Sequence, residues 1–270
     1  MSITPKSQPK KVTLNSLQKK KGTEKITAIT AYDALFARIF DEEVDVILIG
    51  DSLNMSFGGK RDTTSLSLDA MIYHAKAVCS KVSHAFLIAD MPFGSYATRD
   101  SALKNATKLI KHTQVDAIKL EVTHKKLPLI EALIDEGVAV MPHIGLMPQY
   151  IKAEGGYKIK GREQSQCAML LDSAKCLEQV GAFGLLLEGI SAPCAKHITQ
   201  SLRIPTIGIG SGVDCDGQIL VWSDMLGLYD ELHPKFVRTY LEGAKLIKQA
   251  VREYVSDVRS QNFPNQDESY

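Results

Sequence analysis

Neither sign of charge is in excess in this chain: 32 Lys and Arg stand against 31 Asp and Glu, for a net charge of +1. That balance leaves no electrostatic footprint for nucleic acid or an anionic membrane, so a small molecule is the expected partner. Long hydrophobic runs are missing as well, and none approaches the ~18 residues that a membrane-spanning helix needs. The opening MSITPKSQPKK is polar and basic with no apolar stretch behind it, which argues against a secretory signal. Cysteine is sparse and unpatterned. Cys79, Cys167, Cys176, Cys194 and Cys215 form no C-x-x-C pair and no zinc spacing, so a reduced cytoplasmic setting is expected rather than a disulfide framework. Aromatics are few, at 7%, in an otherwise ordinary globular composition of 44% hydrophobic and 23% charged residues.

What the chain does have is a regular alternation. Short apolar runs occur at 26–33, 44–52, 85–93, 117–122, 138–146, 183–190 and 205–212, with a weaker eighth at 218–222. Their near-continuous hydrophobicity is what strands buried on both faces require. Amphipathic helical patterns separate them at 68–82, 101–114, 127–137 and 166–181. Alternating β and α elements imply a parallel sheet, and about eight units in 270 residues favour a closed (β/α)₈ barrel of α/β class in a single domain. The expected organisation is a tail and short capping helix over 1–24, with 13–21 plugging the barrel bottom. The barrel follows over 25–258, then a mobile C-terminal tail over 259–270. The stretch 233–258 reads as the closing helix, with a possible break at Gly243.

The polar residues fall where a barrel enzyme would put them. Six of the apolar runs end on one ionisable group each: Asp33, Asp51, Asp90, Glu121, His143 and Glu188. In a barrel these ends ring one mouth. Each alone is equally well read as a helix cap or turn residue, but six in succession, two of them Glu, point to a site. Clustered carboxylates need a compensating cation or must protonate. Asp51, Asp90 and Glu121, from three consecutive strands and without Cys or paired His, suit Mg²⁺. Lys119, two residues before Glu121, shares its strand face and would bring an ammonium inside to meet a substrate carboxylate; the plainer alternative is a snorkelling surface lysine. GIGSG (208–212) reads either as a phosphate cradle or as a tight turn needing positive φ. The loop 151–162 reads either as a lid or as a surface excursion. His74 and His84 read as surface or packing residues.

At these same residues the chain shows longer strings: TAYD (30–33), IGDSLNM (49–55), IYHAKAV (72–78), ADMPFGSYAT (89–98), IKLE (118–121), MPHIGLMPQ (141–149), GGYKIKGR (155–162), LLLEGI (185–190), IPTIGIGSG (204–212), DGQILV (216–221) and HPKF (233–236). In order and spacing they resemble the ketopantoate hydroxymethyltransferase family over about residues 25–255. The resemblance implies a barrel of the phosphoenolpyruvate mutase and isocitrate lyase type, Mg²⁺-dependent and assembled as a homo-oligomer, usually a decamer. The implied reaction transfers a hydroxymethyl group from 5,10-methylenetetrahydrofolate to C3 of 3-methyl-2-oxobutanoate through a Mg²⁺-stabilised enolate. Its product is 2-dehydropantoate, on the route to pantothenate. Asp51, Asp90 and Glu121 match the metal site; Asp51, Ser52, Asp90 and Lys119 match the oxo-acid contacts. Glu188 matches the proton acceptor, and His143 lies in the site with a less settled role. Three departures from the family pattern stand out: VTHKK after IKLE, GIS after LLLE, and Ser211 where relatives often carry Ala. Two other readings remain, a related barrel that cleaves C–C or C–P bonds with a cysteine near the mouth, and an idle barrel used as a scaffold.

Overall fold

The computed structural model describes residues 10–229 and 234–270; the N-terminal 1–9 and His233 of the HPKF string lie outside them. Eight parallel strands close into a barrel in sequence order, β1 pairing with both β2 and β8. They are β1 (Ile26–Thr30), β2 (Val46–Ile49), β3 (Phe86–Asp90), β4 (Ala117–Glu121), β5 (Val140–Gly145), β6 (Leu185–Glu188), β7 (Thr206–Ile209) and β8 (Gly217–Leu220). Every expected run holds a strand, shorter by one to several residues; Asp90, Glu121, His143 and Glu188 stay within their strands, while Asp33 and Asp51 fall in the loops that follow.

Helices alternate with the strands. In chain order they are α1 (Leu14–Lys19), α2 (Ala34–Phe40), α3 (Leu53–Ser56), α4 (Leu68–Cys79), α5 (Arg99–Thr113), α6 (Leu127–Asp135), α7 (Ile151–Glu154), α8 (Gln164–Gln179), α9 (Ala192–Ser201), α10 (Trp222–Met225) and α11 (Gly243–Arg259). Of these, α4, α6 and α8 pack against the barrel. Local chemistry starts several of the helices. Thr13 and Thr98 form capping boxes with Ser16 and Ser101, and the Ser67 hydroxyl accepts from Ala70 N. At the bottom of the barrel Val12 and Leu17 join a core with Ile26, Val46, Phe86 and Phe183, so α1 does plug that end. No described helix is long and apolar enough to cross a membrane.

The chain divides into two compact units, one ending at Leu220 and containing all eight strands, the other running from Val221 to Tyr270. In the second unit α11 begins only at Gly243, so the helix expected from 233 is absent over 234–242. Gly243 is obligatory there: a Cβ would strike the Leu226 carbonyl oxygen, to which the Gly243 N–H itself donates at 2.9 Å. Along α11 only Gly243 is buried, while Ile247, Val251, Tyr254 and Val258 form an exposed apolar row.

The cysteine expectation needs correction. Cys167 on α8 and Cys194 on α9 are joined in a disulfide, leaving Cys79, Cys176 and Cys215 free. Successive helices of a barrel lie side by side, which brings together two residues that are 27 apart in the chain.

Candidate active site

Five of the six strand-end groups converge inside the mouth. Asp51, Asp90, Glu121 and His143 are each at most 5% exposed, whereas the Glu188 side chain is 20% exposed and is the one acid among them with an opening to solvent. Asp33 is the exception. It sits three residues beyond β1 and caps α2, accepting from Leu35 N at 2.8 Å and Phe36 N at 3.0 Å. For this residue the helix-cap alternative is the right one.

The strings around these groups have local causes. In IGDS, at the turn after β2, a Cβ on Gly50 would lie 2.9 Å from Ser52 Oγ, so a side chain there would push the Ser52 hydroxyl from its place. That turn aims Asp51 N at Asp90 Oδ2, 2.9 Å away. Ser52 begins α3 without capping it; its hydroxyl pairs at 2.7 Å with that of Tyr32, a fully buried residue of the TAYD string. Gly145 ends β5 at φ +103°, and a side chain there would collide with the Glu188 carbonyl oxygen.

Lys119 does point inward. Its ammonium is 2.8 Å from Asp90 Oδ1 and 3.4 Å from His143 Nδ1. Burial by itself would depress its pKa, but the charges of Asp90, Asp51 and Glu121 outweigh burial and raise it, so it stays a cation. His143 is the opposite case: burial first, then the Lys119 charge, push its pKa well below the usual imidazole value. Its Nε2 lies 2.8 Å from the Leu146 carbonyl oxygen, which can only accept. The neutral ring therefore carries its proton on Nε2 and turns the Nδ1 lone pair to Lys119. Glu188 Oε2 stands 3.5 Å from that same Nε2.

The carboxylates are strained electrostatically. Asp51 is raised to about 7 by burial and by Asp90, against the opposing Lys119 charge and the Gln149 amide. Glu121 is raised well above its ordinary value by burial, then by Asp51 and Glu188. Glu188 is raised to about 8 by burial, with Lys119 pulling it down and Asp51 and Asp90 adding to the rise. One lysine does not balance four acids, so a further cation fits the chemistry of this mouth. Among the described residues no group of three or more His, Cys, Asp or Glu side chains stands ready to enclose a metal. Mg²⁺ needs no such enclosure, since it takes one or two carboxylates and fills its other positions with water and substrate. The all-oxygen set of Asp51 and Asp90, with Glu121 alongside, fits it on those terms.

Three residues that sequence reasoning assigned no role belong to this network: Tyr32, Tyr96 and Gln149. Their one signal was membership in the TAYD, GSYAT and MPQ strings. The weaker candidates also resolve. Gly210 and Gly212 adopt φ +61° and +87°, as a tight turn requires. Between them Ser211 Oγ donates to Leu187 O at 2.7 Å and accepts from Ile190 N at 3.1 Å, bracketing Glu188. The loop after α7 docks on the same segment: Lys160 N donates to Gly189 O and Ser191 N to Lys160 O, both at 2.8 Å. Cys194, the cysteine nearest the mouth in sequence, is held in its disulfide and offers no free thiol to a bond-cleaving mechanism. His74 packs edge-on against Phe57 and Tyr73, with Nδ1 at 2.6 Å from Tyr32 O.

Comparison with known proteins agrees with this picture. The profile of the ketopantoate hydroxymethyltransferase family matches residues 11–266. Over 261 residues the chain is 57% identical to the 3-methyl-2-oxobutanoate hydroxymethyltransferase of Helicobacter hepaticus, covering 97% of this chain and 99% of that protein. It is 55% identical to the enzyme of that name from Wolinella succinogenes, covering 97% of this chain and 100% of that protein. Among solved structures, a phosphonopyruvate hydrolase superposes with a TM-score of 0.62 at 15% identity, over 95% of this chain and 90% of that one. A 2,3-dimethylmalate lyase of the PEP mutase/isocitrate lyase superfamily gives 0.59 at 16%, with the same coverage of 95% and 90%. At such identities the likeness speaks for the barrel fold alone. With a family profile spanning nearly the whole chain and relatives above half identity, the chain belongs to the ketopantoate hydroxymethyltransferase family.

Proposed function

We propose that this enzyme transfers a hydroxymethyl group from 5,10-methylenetetrahydrofolate to C3 of 3-methyl-2-oxobutanoate, giving 2-dehydropantoate for pantothenate and coenzyme A synthesis. The observation that carries the reading is Glu188, a carboxyl raised to about 8 by burial, at the open side of an otherwise closed polar cluster. A base of that strength suits removal of a proton from carbon beside a carbonyl near neutral pH. Family membership supports the acceptor; the folate donor rests on resemblance, because no group in the mouth is particular to a pterin.

In this reading bound Mg²⁺, with Asp51 and Asp90 as its holders and Glu121 beside them, supplies Lewis-acid polarisation of the 2-oxo group. Lys119 and Ser52 bind the substrate carboxylate and restrict its orientation. Glu188 accepts the C3 proton on a carboxylate oxygen; C3 then bonds to the methylene carbon of the folate as that carbon's bonds to nitrogen break, and water supplies the hydroxyl, releasing tetrahydrofolate. Neutral His143 keeps its lone pair on Lys119 and so steadies the ammonium, acting as a support to the base and not as the base itself. We further propose a cytoplasmic homo-oligomer, a decamer by family resemblance; the exposed apolar row of α11 is a surface suited to such contacts.

The test is product formation with each component withheld. Turnover should need both the folate and a divalent cation, and Mg²⁺ should restore it after exhaustive chelation. Full activity in chelated buffer removes the cation from the reading, and product formed without folate removes the donor.

A further inference from the structure

Gln149 is a buried polar hub that the reaction as described does not use. It lies in a single 3-10 turn after β5 (Pro148–Tyr150) and is 4% exposed. Its side-chain nitrogen is 2.8 Å from Asp51 Oδ2 and 3.0 Å from the Met91 carbonyl oxygen. Its backbone N–H donates to Glu121 Oε2 at 2.9 Å. The amide oxygen faces the Tyr96 hydroxyl at 2.5 Å, and that hydroxyl also lies 3.2 Å from the Glu121 carbonyl oxygen.

The network fixes which way the amide points. Met91 O can only accept, so the –NH₂ must face it and Asp51, and Oε1 must face Tyr96. Tyr96 then donates to Oε1. A flipped amide would put oxygen against two acceptors and leave –NH₂ at a hydroxyl already shared with a carbonyl. One residue thus pins a carboxylate from the loop after β2 through its side chain and one from β4 through its backbone, and a tyrosine from the loop after β3 locks it.

We propose that Gln149, oriented by Tyr96, is a positioning residue that holds the Asp51 and Glu121 carboxylates in the arrangement a divalent cation requires. The inference rests on the cation reading of the mouth given above. By fixing one oxygen of each carboxylate, Gln149 sets the direction of the other; without it, both side chains can turn toward Lys119. Partners of this kind typically change metal affinity by about 10–100-fold when removed.

The experiment measures Mn²⁺ binding by electron paramagnetic resonance on the full chain, without substrate, with circular dichroism to confirm the fold. Gln149→Met, of similar volume and without the amide, should weaken Mn²⁺ by about 10–100-fold. Tyr96→Phe should weaken it by less, about 3–10-fold, and should add nothing once Gln149 is Met, as coupled neighbours do. An unchanged Mn²⁺ affinity in folded Gln149→Met overturns the proposal, as does additivity in the double variant. If Gln149→Met does not fold, Tyr96→Phe decides alone, since it keeps the packing, and unchanged binding there overturns the orienting role. Absence of Mn²⁺ binding by the unaltered chain is a different failure: it overturns the cation reading, and the Gln149 proposal falls with it.

Discussion

If Glu188 is the base, hydrogen exchange at C3 of 3-methyl-2-oxobutanoate isolates its work from the rest of the reaction. Proton removal precedes attack on the folate carbon, so enzyme, Mg²⁺ and the oxo acid in D₂O should exchange that hydrogen without folate. Proton NMR would follow the collapse of the methyl doublet. Glu188→Gln keeps the shape and removes the basic oxygen, and a positioned base is worth about 10²–10⁴-fold, so exchange should fall by that factor. The pH dependence follows from the site. With a pKa of about 8, Glu188 is only about one-tenth ionised at pH 7, and the active, ionised form accumulates as pH rises. Exchange should therefore climb with pH to a plateau, with a midpoint at or below 8, since an added dication can only lower it. Lys119 pulls the Glu188 value down, so Lys119→Ala should shift the climb to higher pH besides weakening substrate binding. His143 spends both ring nitrogens on Leu146 and Lys119, so His143→Asn should retain exchange at a reduced level. Wild-type exchange in Glu188→Gln together with its loss in His143→Asn would refute the assignment and make the imidazole the base.

The same raised acids make the metal-free fold sensitive to alkali. Asp51 and Glu188 sit at about 7 and 8, above their unfolded values of about 4, so the stability they confer is complete below about pH 4 and lost as pH rises through 7 and 8. The chelated protein should melt at lower temperature at pH 9 than at pH 6, and Mg²⁺ should restore more at pH 9; equal melting at both would contradict the buried cluster. Reduction of Cys167–Cys194, which spans 27 residues, should remove about 3–4 kcal/mol on the loop-entropy account. At about 2–4 °C per kcal/mol for a chain of this size, that is a fall in Tm of roughly 10 °C under dithiothreitol, and Cys167→Ser should match it. An unchanged Tm would show that the bond does not constrain the unfolded chain. Light scattering should give a particle near ten times the 29.7 kDa chain mass, and a monomer at micromolar concentration would defeat the assembly reading.

The barrel was legible because its strands are buried on both faces, which writes an apolar run into the sequence whatever the loops do. The stretch from 233 was misread for a complementary reason. Its residues keep a helical rhythm as far as Gly243, but Tyr240, Gly243 and Ala244 give their N–H groups to Met225, Leu226 and Gly227, and that pairing takes the backbone out of any helix before Gly243. A local pattern cannot register a competitor nearly twenty residues away. The disulfide escaped notice on the same ground, because α8 and α9 lie side by side only once the barrel exists.

Asp33 and Ser52 show where reading a site from strand ends reaches its limit. Both stand just after a strand and at the start of a helix, and both are residue types that cap helices well. Asp33 caps, while Ser52 leaves its helix uncapped and turns to Tyr32. What separates them is which partner the barrel brings within reach, a buried tyrosine for Ser52 and only the next turn's N–H groups for Asp33. Gln149 marks the other limit. It has no charge, follows a proline in a loop and matches no catalytic pattern, yet it touches two of the acids. Ionisable groups advertise themselves because burying them without a purpose is costly. A neutral amide that satisfies all its partners carries no such penalty, so its contribution becomes visible only when the distances are known.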